Sequence, residues 1–165
     1  MSDYKTEPVD EMEDVVAVFY GGRGQWGQQY VITNRRLLIG PLNVDIAAEI
    51  DTYVANKLVP GAGDVIKKVL SLYGPASAKT LWLRHVIDVR PTSNASWFRP
   101  PQLRITTETE EVLELGIIKK GASRTRTMLT MSRDPSNNAE RDRAVAVLRQ
   151  AVAAAKAVPT ATTDR

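Results

Sequence analysis

The chain has 165 residues, 43% of them hydrophobic and 25% charged, with no cysteine, one histidine and a net charge of +3. That length suits one domain with room for an insertion and a real buried core, and the composition is that of an ordinary globular chain. The missing cysteines exclude disulfides, thiolate catalysis and cysteine-bound metals, and the positive charge is too small for a nucleic-acid stripe.

Residues 1–14 are acidic, with Asp3, Glu7, Asp10, Glu11, Glu13 and Asp14 against Lys5. Such a run reads as a solvated tail, assigned to residues 1–12; the alternative is an arm docking on a basic patch elsewhere in the chain. It carries no apolar signal core, and no apolar run in the chain approaches the roughly 20 residues of a spanning helix. The expectation is a cytoplasmic protein, with the inner face of the membrane as a peripheral station. The folded part is expected over 13–158, with a flexible tail over 159–165.

Val15–Tyr20 is a short β-branched and aromatic run, a strand buried on much of both faces. Behind it Gly22, Gly24 and Gly27 spell G-x-G-x-x-G. A pyrophosphate would need a helix N-terminus after those glycines, and here they run into strand-like QQYVIT. The segment therefore reads as a Gly-rich hairpin loop, and no cofactor is expected. Tyr30–Gly40, YVITNRRLLIG, alternates Tyr30/Ile32 and Leu37/Ile39 around a polar break at Thr33-Asn34-Arg35, the pattern of a half-buried hairpin.

Residues 43–75 read as an inserted helical hairpin. Ile46, Ala47, Ile50, Tyr53, Val54 and Leu58 recur at helical spacing, and Pro60–Gly63 breaks the run. Asp64 caps a second helix with Val65, Ile66, Val69, Leu70 and Tyr73 as its stripe, closed by Gly74-Pro75. Such a connection is far longer than usual. From Thr80, TLWLRHVIDVR alternates Leu81, Leu83, His85, Ile87 and Val89 against Trp82, Arg84, Val86, Asp88 and Arg90, as one strand. Pro91–Pro101 is a loop carrying Trp97, Phe98 and Arg99; Leu103–Thr107 and Val112–Ile118 alternate again around the charged turn Glu108–Glu111. Lys119–Arg126 is a basic loop, Thr127–Ser132 a seventh strand, and Asp134-Pro135 opens a final helix. Its stripe is Ala144, Val145, Leu148, Ala151, Val152 and Ala155, with Arg141, Arg143 and Arg149 largely outside it.

The string Thr33-Asn34-Arg35-Arg36-Leu37-Leu38 resembles the second-to-third-strand hairpin of bacterial pleckstrin-homology-like domains, in the GRAM and bacterial-PH branch. The strand from Thr80 and the order of seven strands then one helix extend the resemblance over residues 13–40 and 80–157, while the insertion departs from it. The resemblance implies a mainly β fold with α: a bent seven-stranded antiparallel barrel, with its C-terminal helix plugging one end. It implies binding rather than catalysis, since the family as such carries no catalytic motif.

The residues agree in lacking catalytic clusters. His85, among aliphatic neighbours, reads as a core histidine bonded to backbone rather than a general base. No Ser sits in a nucleophile elbow, and no His/Asp/Glu set has metal-ligand spacing. A protein partner, or a second copy of the chain, is expected to engage Ile50, Tyr53, Val54, Leu58, Val69, Leu70 and Tyr73 of the insertion, together with Trp97, Phe98 and Arg99. The insertion could equally pack on its own barrel, and the Trp97 loop could tuck over the barrel mouth. The second reading is an anionic membrane surface met by Arg23, Arg35, Arg36, Lys119, Lys120, Arg124 and Arg126, each worth ~1 kcal/mol when well placed. Arg36 has a structural alternative, with its stem along the barrel and its fork on a carboxylate. Nucleic acid is not expected, because no aromatic stacking platform accompanies the basic loop.

Overall fold

In the computed structural model, residues 12–23, 26–41, 79–119 and 134–158 are described. The expected helical hairpin over 43–75, the strand over 127–132 and most of both tails lie outside them. The described chain is mainly β. Strands β1 (Val15–Arg23), β2 (Trp26–Thr33), β3 (Arg36–Pro41) and β4 (Lys79–Trp82) form one antiparallel sheet in that order. Strands β5 (Val86–Ser93), β6 (Gln102–Thr107) and β7 (Val112–Gly116) form a second, and helix α1 (Ser136–Ala157) follows.

The glycine run behaves as hairpin chemistry requires. Gly22 pairs with Gly27 and Arg23 with Trp26, so the glycines lead into a strand and no helix N-terminus stands behind them. The break at Asn34 is a turn that also fastens the start of the chain. Asn34 donates through its backbone N–H to the Asp14 carbonyl (3.0 Å) and through Nδ2 to the Met12 carbonyl (2.8 Å), while its Oδ1 accepts from the Asp14 N–H (2.9 Å). Glu13 is therefore no tail residue. Its carboxylate receives Nε and Nη2 of Arg36, both at 2.8 Å, and Thr33 Oγ1 at 2.8 Å, with both ion-pair side chains wholly out of water.

The expected single strand over Thr80–Arg90 is two strands joined by a 3-10 turn at Leu83–His85. The turn is bonded on both sides: Leu83 N–H donates to the Arg35 carbonyl (3.0 Å), and Glu108 N–H to the His85 carbonyl (2.9 Å). It carries the chain from the first sheet to the second and resets the alternation. Leu81, Trp82, Leu83, Val86 and Val89 are all buried, whereas Ile87 stands 57% exposed beside an irregularity in the β5–β6 register. His85 is correspondingly not a core residue. It is half-buried, with Nδ1 3.1 Å from Glu108 Oε2 and Nε2 accepting from Arg84 Nε at 3.1 Å.

Both sheets and the helix share one hydrophobic cluster. Phe19, Tyr30, Ile32 and Leu37 meet Leu83, Val86, Leu103, Ile105 and Leu115, and Ala144, Val145, Leu148 and Ala151 close it from the helix. Each buried aliphatic of this size contributes roughly 1.5–3 kcal/mol relative to water. The far margin of the sheets is joined at Ile118, whose N–H donates to the Tyr20 carbonyl at 2.8 Å. Gly21 permits this seam. A Cβ there would run into the Gly116 carbonyl oxygen and come within 2.7 Å of the Tyr30 ring.

The first sheet is buried on both faces at β2 and β3, while Val16 of β1 stands 42% exposed. Val31 lies between Tyr30 and Ile32, and Leu38 between Leu37 and Ile39, so both point away from the shared cluster. They are nonetheless 0% exposed and pair with each other across β2 and β3. Arg36 and Trp82, partners across β3 and β4, continue the same face; the guanidinium carbon of Arg36 lies 4.6 Å from the Trp82 ring centroid. That cation–π contact partly offsets the buried Arg36 Nη1, which makes no hydrogen bond among the described residues.

Helix α1 begins as Asp134-Pro135 suggests, with the Asp134 carboxylate accepting the Ser136 N–H at 2.9 Å. The apolar stripe faces the core. Its arginines are less peripheral than their spacing implied. Arg141 is 6% exposed, Arg143 lies with its guanidinium carbon 4.4 Å from the Phe19 ring centroid, and Arg149 Nε donates to the Val89 carbonyl at 2.8 Å. Arg141 and Arg149 thus occupy main-chain acceptors of the edge strand β5, which discourages that edge from pairing with another chain.

Candidate functional site

The residues that stand out as a contact surface sit between β5 and β6. Pro91 near the end of β5 and Pro100-Pro101 before β6 have no N–H to donate to a ladder, and Ser93 pairs with Gln102 to close the connection. Pro100 and Pro101 are buried while residues 96–99 are exposed, so the loop has a packed root and a bare tip. Ser96 N–H donates to the Arg99 carbonyl at 2.9 Å, which leaves Trp97 and Phe98 at the apex. They are 65% and 78% exposed. Large aromatic side chains held in water are uncommon enough to need a reason.

The first turns of α1 hold the root. Asn138 Oδ1 accepts the Ala95 N–H at 2.7 Å. Arg141 donates through Nη1 to the Ser93 carbonyl and through Nη2 to Asn94 Oδ1 at 3.1 Å. Asn137, adjacent in sequence, does the same for the segment after β7: its Oδ1 accepts the Lys119 N–H at 2.7 Å. Ile117 N–H donates in turn to the Pro101 carbonyl at 3.0 Å. Consecutive asparagines therefore clamp two separate segments side by side, and Lys119, exposed, belongs to the same end of the molecule as the aromatic tip.

Of the other expected cations, the described Arg35 and Arg23 lie at opposite limits of the first sheet. Arg35 stands half-buried at the β2–β3 turn, and Arg23 ends β1 at the opposite limit of the sheet. Val15 pairs with Thr33 at one limit and Arg23 with Trp26 at the other, eight strand steps apart, or about 26 Å. Arg36 is withdrawn from an anionic-surface set altogether, because its guanidinium is buried against Glu13. Lys120, Arg124 and Arg126 lie outside the described residues, as do Ile50, Tyr53, Val54, Leu58, Val69, Leu70 and Tyr73. Arg99 is exposed beside the aromatics and makes no ion pair among the described residues.

Charge is distributed unevenly between the two ends. The β6–β7 turn carries exposed Glu108, Glu110 and Glu111, with Glu111 paired to Lys79. The aromatic tip, Arg99 and Lys119 occupy the other end. Among the described residues no group of three or more His, Asp or Glu could hold a metal, and no helix is long and apolar enough to cross a membrane.

Asn137, Asn138 and Arg141 carry the site's geometry, yet only Arg141 drew notice in the sequence, as an outward-facing cation. The available signal was the polar triplet Ser136-Asn137-Asn138 directly after Asp-Pro, since asparagine weakens a helix unless its side chain is bonded. Comparison with family models, with curated proteins and with solved structures finds no match for this chain.

Proposed function

We propose that this chain is a non-catalytic binding module on a pleckstrin-homology-like scaffold, with the Trp97-Phe98-Arg99 tip as its contact surface and a protein, or a second copy of the chain, as its partner. The observation that carries this reading is the exposure of two adjacent aromatics, at 65% and 78%, on a loop whose root is fixed by Asn138 and Arg141. A pinned loop loses little conformational entropy on binding, and Trp, with neighbouring Arg, is an anchor type that dominates interface energetics. Burying each ring against a partner is worth roughly 1.5–3 kcal/mol. The scaffold assignment draws support from the four- and three-stranded antiparallel sheets, the chain passing between them at Leu83–His85, and a C-terminal helix packed on their shared interior.

The test replaces both rings, Trp97→Ser with Phe98→Ser. Exposed positions change stability by no more than about 0.5 kcal/mol, so the melting temperature stays while self-association, read by light scattering, or capture of a partner from source extract is lost. A large fall in melting temperature, or undiminished binding, contradicts the reading.

The joint placement of Arg99 and Lys119 with the two rings favours one second reading, peripheral contact with an anionic membrane surface from the cytoplasmic side. Interfacial aromatics with flanking cations suit such a surface. Co-sedimentation with vesicles should then require acidic lipid and fall at high salt, as a screened interaction must. Binding indifferent to both dismisses this reading.

A further inference from the structure

Another pair of exposed apolar residues lies at the end of the second sheet farthest from the aromatic tip. Ile87 and Val112 are 57% and 52% exposed. Val112 pairs with Thr106 and Thr106 with Asp88, on the face turned away from Ile105 and Leu115. Ile87 adjoins Asp88 where the β5–β6 register shifts. The β6–β7 turn borders both residues, and it is closed by Glu110 N–H on the Thr107 carbonyl and Thr107 N–H on the Glu111 carbonyl, each at 3.0 Å. Of its carboxylates, Glu111 is paired to Lys79 and Glu108 lies against His85. Glu110 makes no ion pair among the described residues. The tip has the converse make-up: two exposed rings, Arg99 with no ion pair among the described residues, and exposed Lys119.

We propose that the tip of one copy docks on the Ile87 and Val112 patch of the next, with Arg99 facing Glu110, so that the chain assembles head to tail. This rests on the tip being the contact surface proposed above, and it names both the partner and the surface that receives the tip. Complementarity supports the choice twice over, apolar against apolar and cation against carboxylate. An anionic membrane accounts for the tip alone, whereas a second copy accounts for both exposed patches. One copy cannot close the contact on itself, because β6 runs from Gln102 beside the tip to Thr107 at the turn, five strand steps or about 17 Å. Two different patches in contact make a heterologous joint, which repeats into a ring or a filament instead of stopping at a two-fold dimer. Strand-edge pairing is the less open route, since Arg141 and Arg149 occupy acceptors on β5. So few side chains make a small interface, so the joint is weak and forms at high concentration.

Sedimentation equilibrium of the full chain, taken up to about 1 mM, should show a mass that rises past that of a dimer. Arg99→Glu and Glu110→Lys should each weaken association about tenfold, because each sets like charges against one another. An equal mixture of these two variants should recover the native association, since every altered site then meets an opposite charge on the other variant. The doubly changed chain should recover it for the same reason. Ile87→Ser with Val112→Ser should weaken association as Trp97→Ser with Phe98→Ser does, at an unchanged melting temperature. A mass that stops at a dimer overturns the inference, and so does a mixture no better than its components. Loss on changing Trp97 and Phe98 but not Ile87 and Val112 overturns the receiving surface and keeps the tip as a contact surface. A chain that stays monomeric throughout also overturns the inference, while the tip reading then stands on capture of a different protein. Association indifferent to Trp97 and Phe98 contradicts both.

Discussion

Arg36 stands in the most recognisable string of the sequence and has none of its side chain in water. Two of its nitrogens lie on Glu13, and its charged plane lies near Trp82, so the residue ties the start of the chain to β3 and β4. Breaking such a pair leaves an uncompensated buried charge, which costs more than the pair itself stabilises. Glu13→Gln should therefore lower unfolding free energy by about 3–5 kcal/mol in urea titration, whereas the joint change Glu13→Leu with Arg36→Met should cost much less. Equal losses for the single and joint changes would argue against an interdependent pair. Tyr30 is the second residue with a global reach, its hydroxyl 3.0 Å from Gln28 Oε1 and 3.1 Å from the Gly116 carbonyl of the other sheet. Burial raises its phenol above the ordinary value of 10.0. The unfolded chain then releases that proton before the folded chain does, so the contribution is intact below pH 10 and is lost as pH climbs further. Tyr30→Phe should cost about 1 kcal/mol at neutral pH and flatten the fall in melting temperature above pH 10 relative to the native chain. A fall of identical steepness in both proteins would contradict this assignment.

Among the elements, the ones with strong periodicity were readable from the residues alone. The hairpin at Thr33–Arg35, the strand around Leu103–Thr107 and the apolar stripe of α1 lie where alternation or helical spacing puts them, and the run expected over Val112–Ile118 is a strand as far as Gly116. Thr80–Arg90 was misread for a definite reason. A three-residue 3-10 turn in mid-run leaves apolar residues at every second position, so the text of the sequence looks unbroken while the faces exchange at Leu83. His85 followed that error into the core. The site shows the same division. Trp97, Phe98 and Arg99 could be picked out by type, but nothing local announces that residues more than 40 positions later hold the loop. Side chain–backbone bonds of that range have no period to betray them. Asn138→Ala tests the clamp: it should cost about 1 kcal/mol and speed amide exchange at Ala95 and Ser96 while leaving β2 protected. Unchanged exchange in the loop would mean that Arg141 and the prolines suffice to hold it.

At the scale of the whole molecule, two features combine. One is the polarity of its ends, with the Glu108–Glu111 turn at one and the aromatic tip with Lys119 at the other. The other is that sequence segments separated by residues 42–78 build a single interior, in which Ile32 and Leu37 from one side meet Leu103 and Ile105 from the other. The root of the tip is held by α1, and this interior fixes β5, β6 and α1 together. Native-state hydrogen exchange across a series of low denaturant concentrations tests that joint interior most directly. The account predicts that the slowest amides of β2, β3 and β6 share one opening free energy and one dependence on denaturant, and that Ile105→Ala lowers all of them together by about 2–5 kcal/mol. Amides of β5–β7 opening at a distinctly lower free energy, with β2 and β3 untouched by Ile105→Ala, would contradict it.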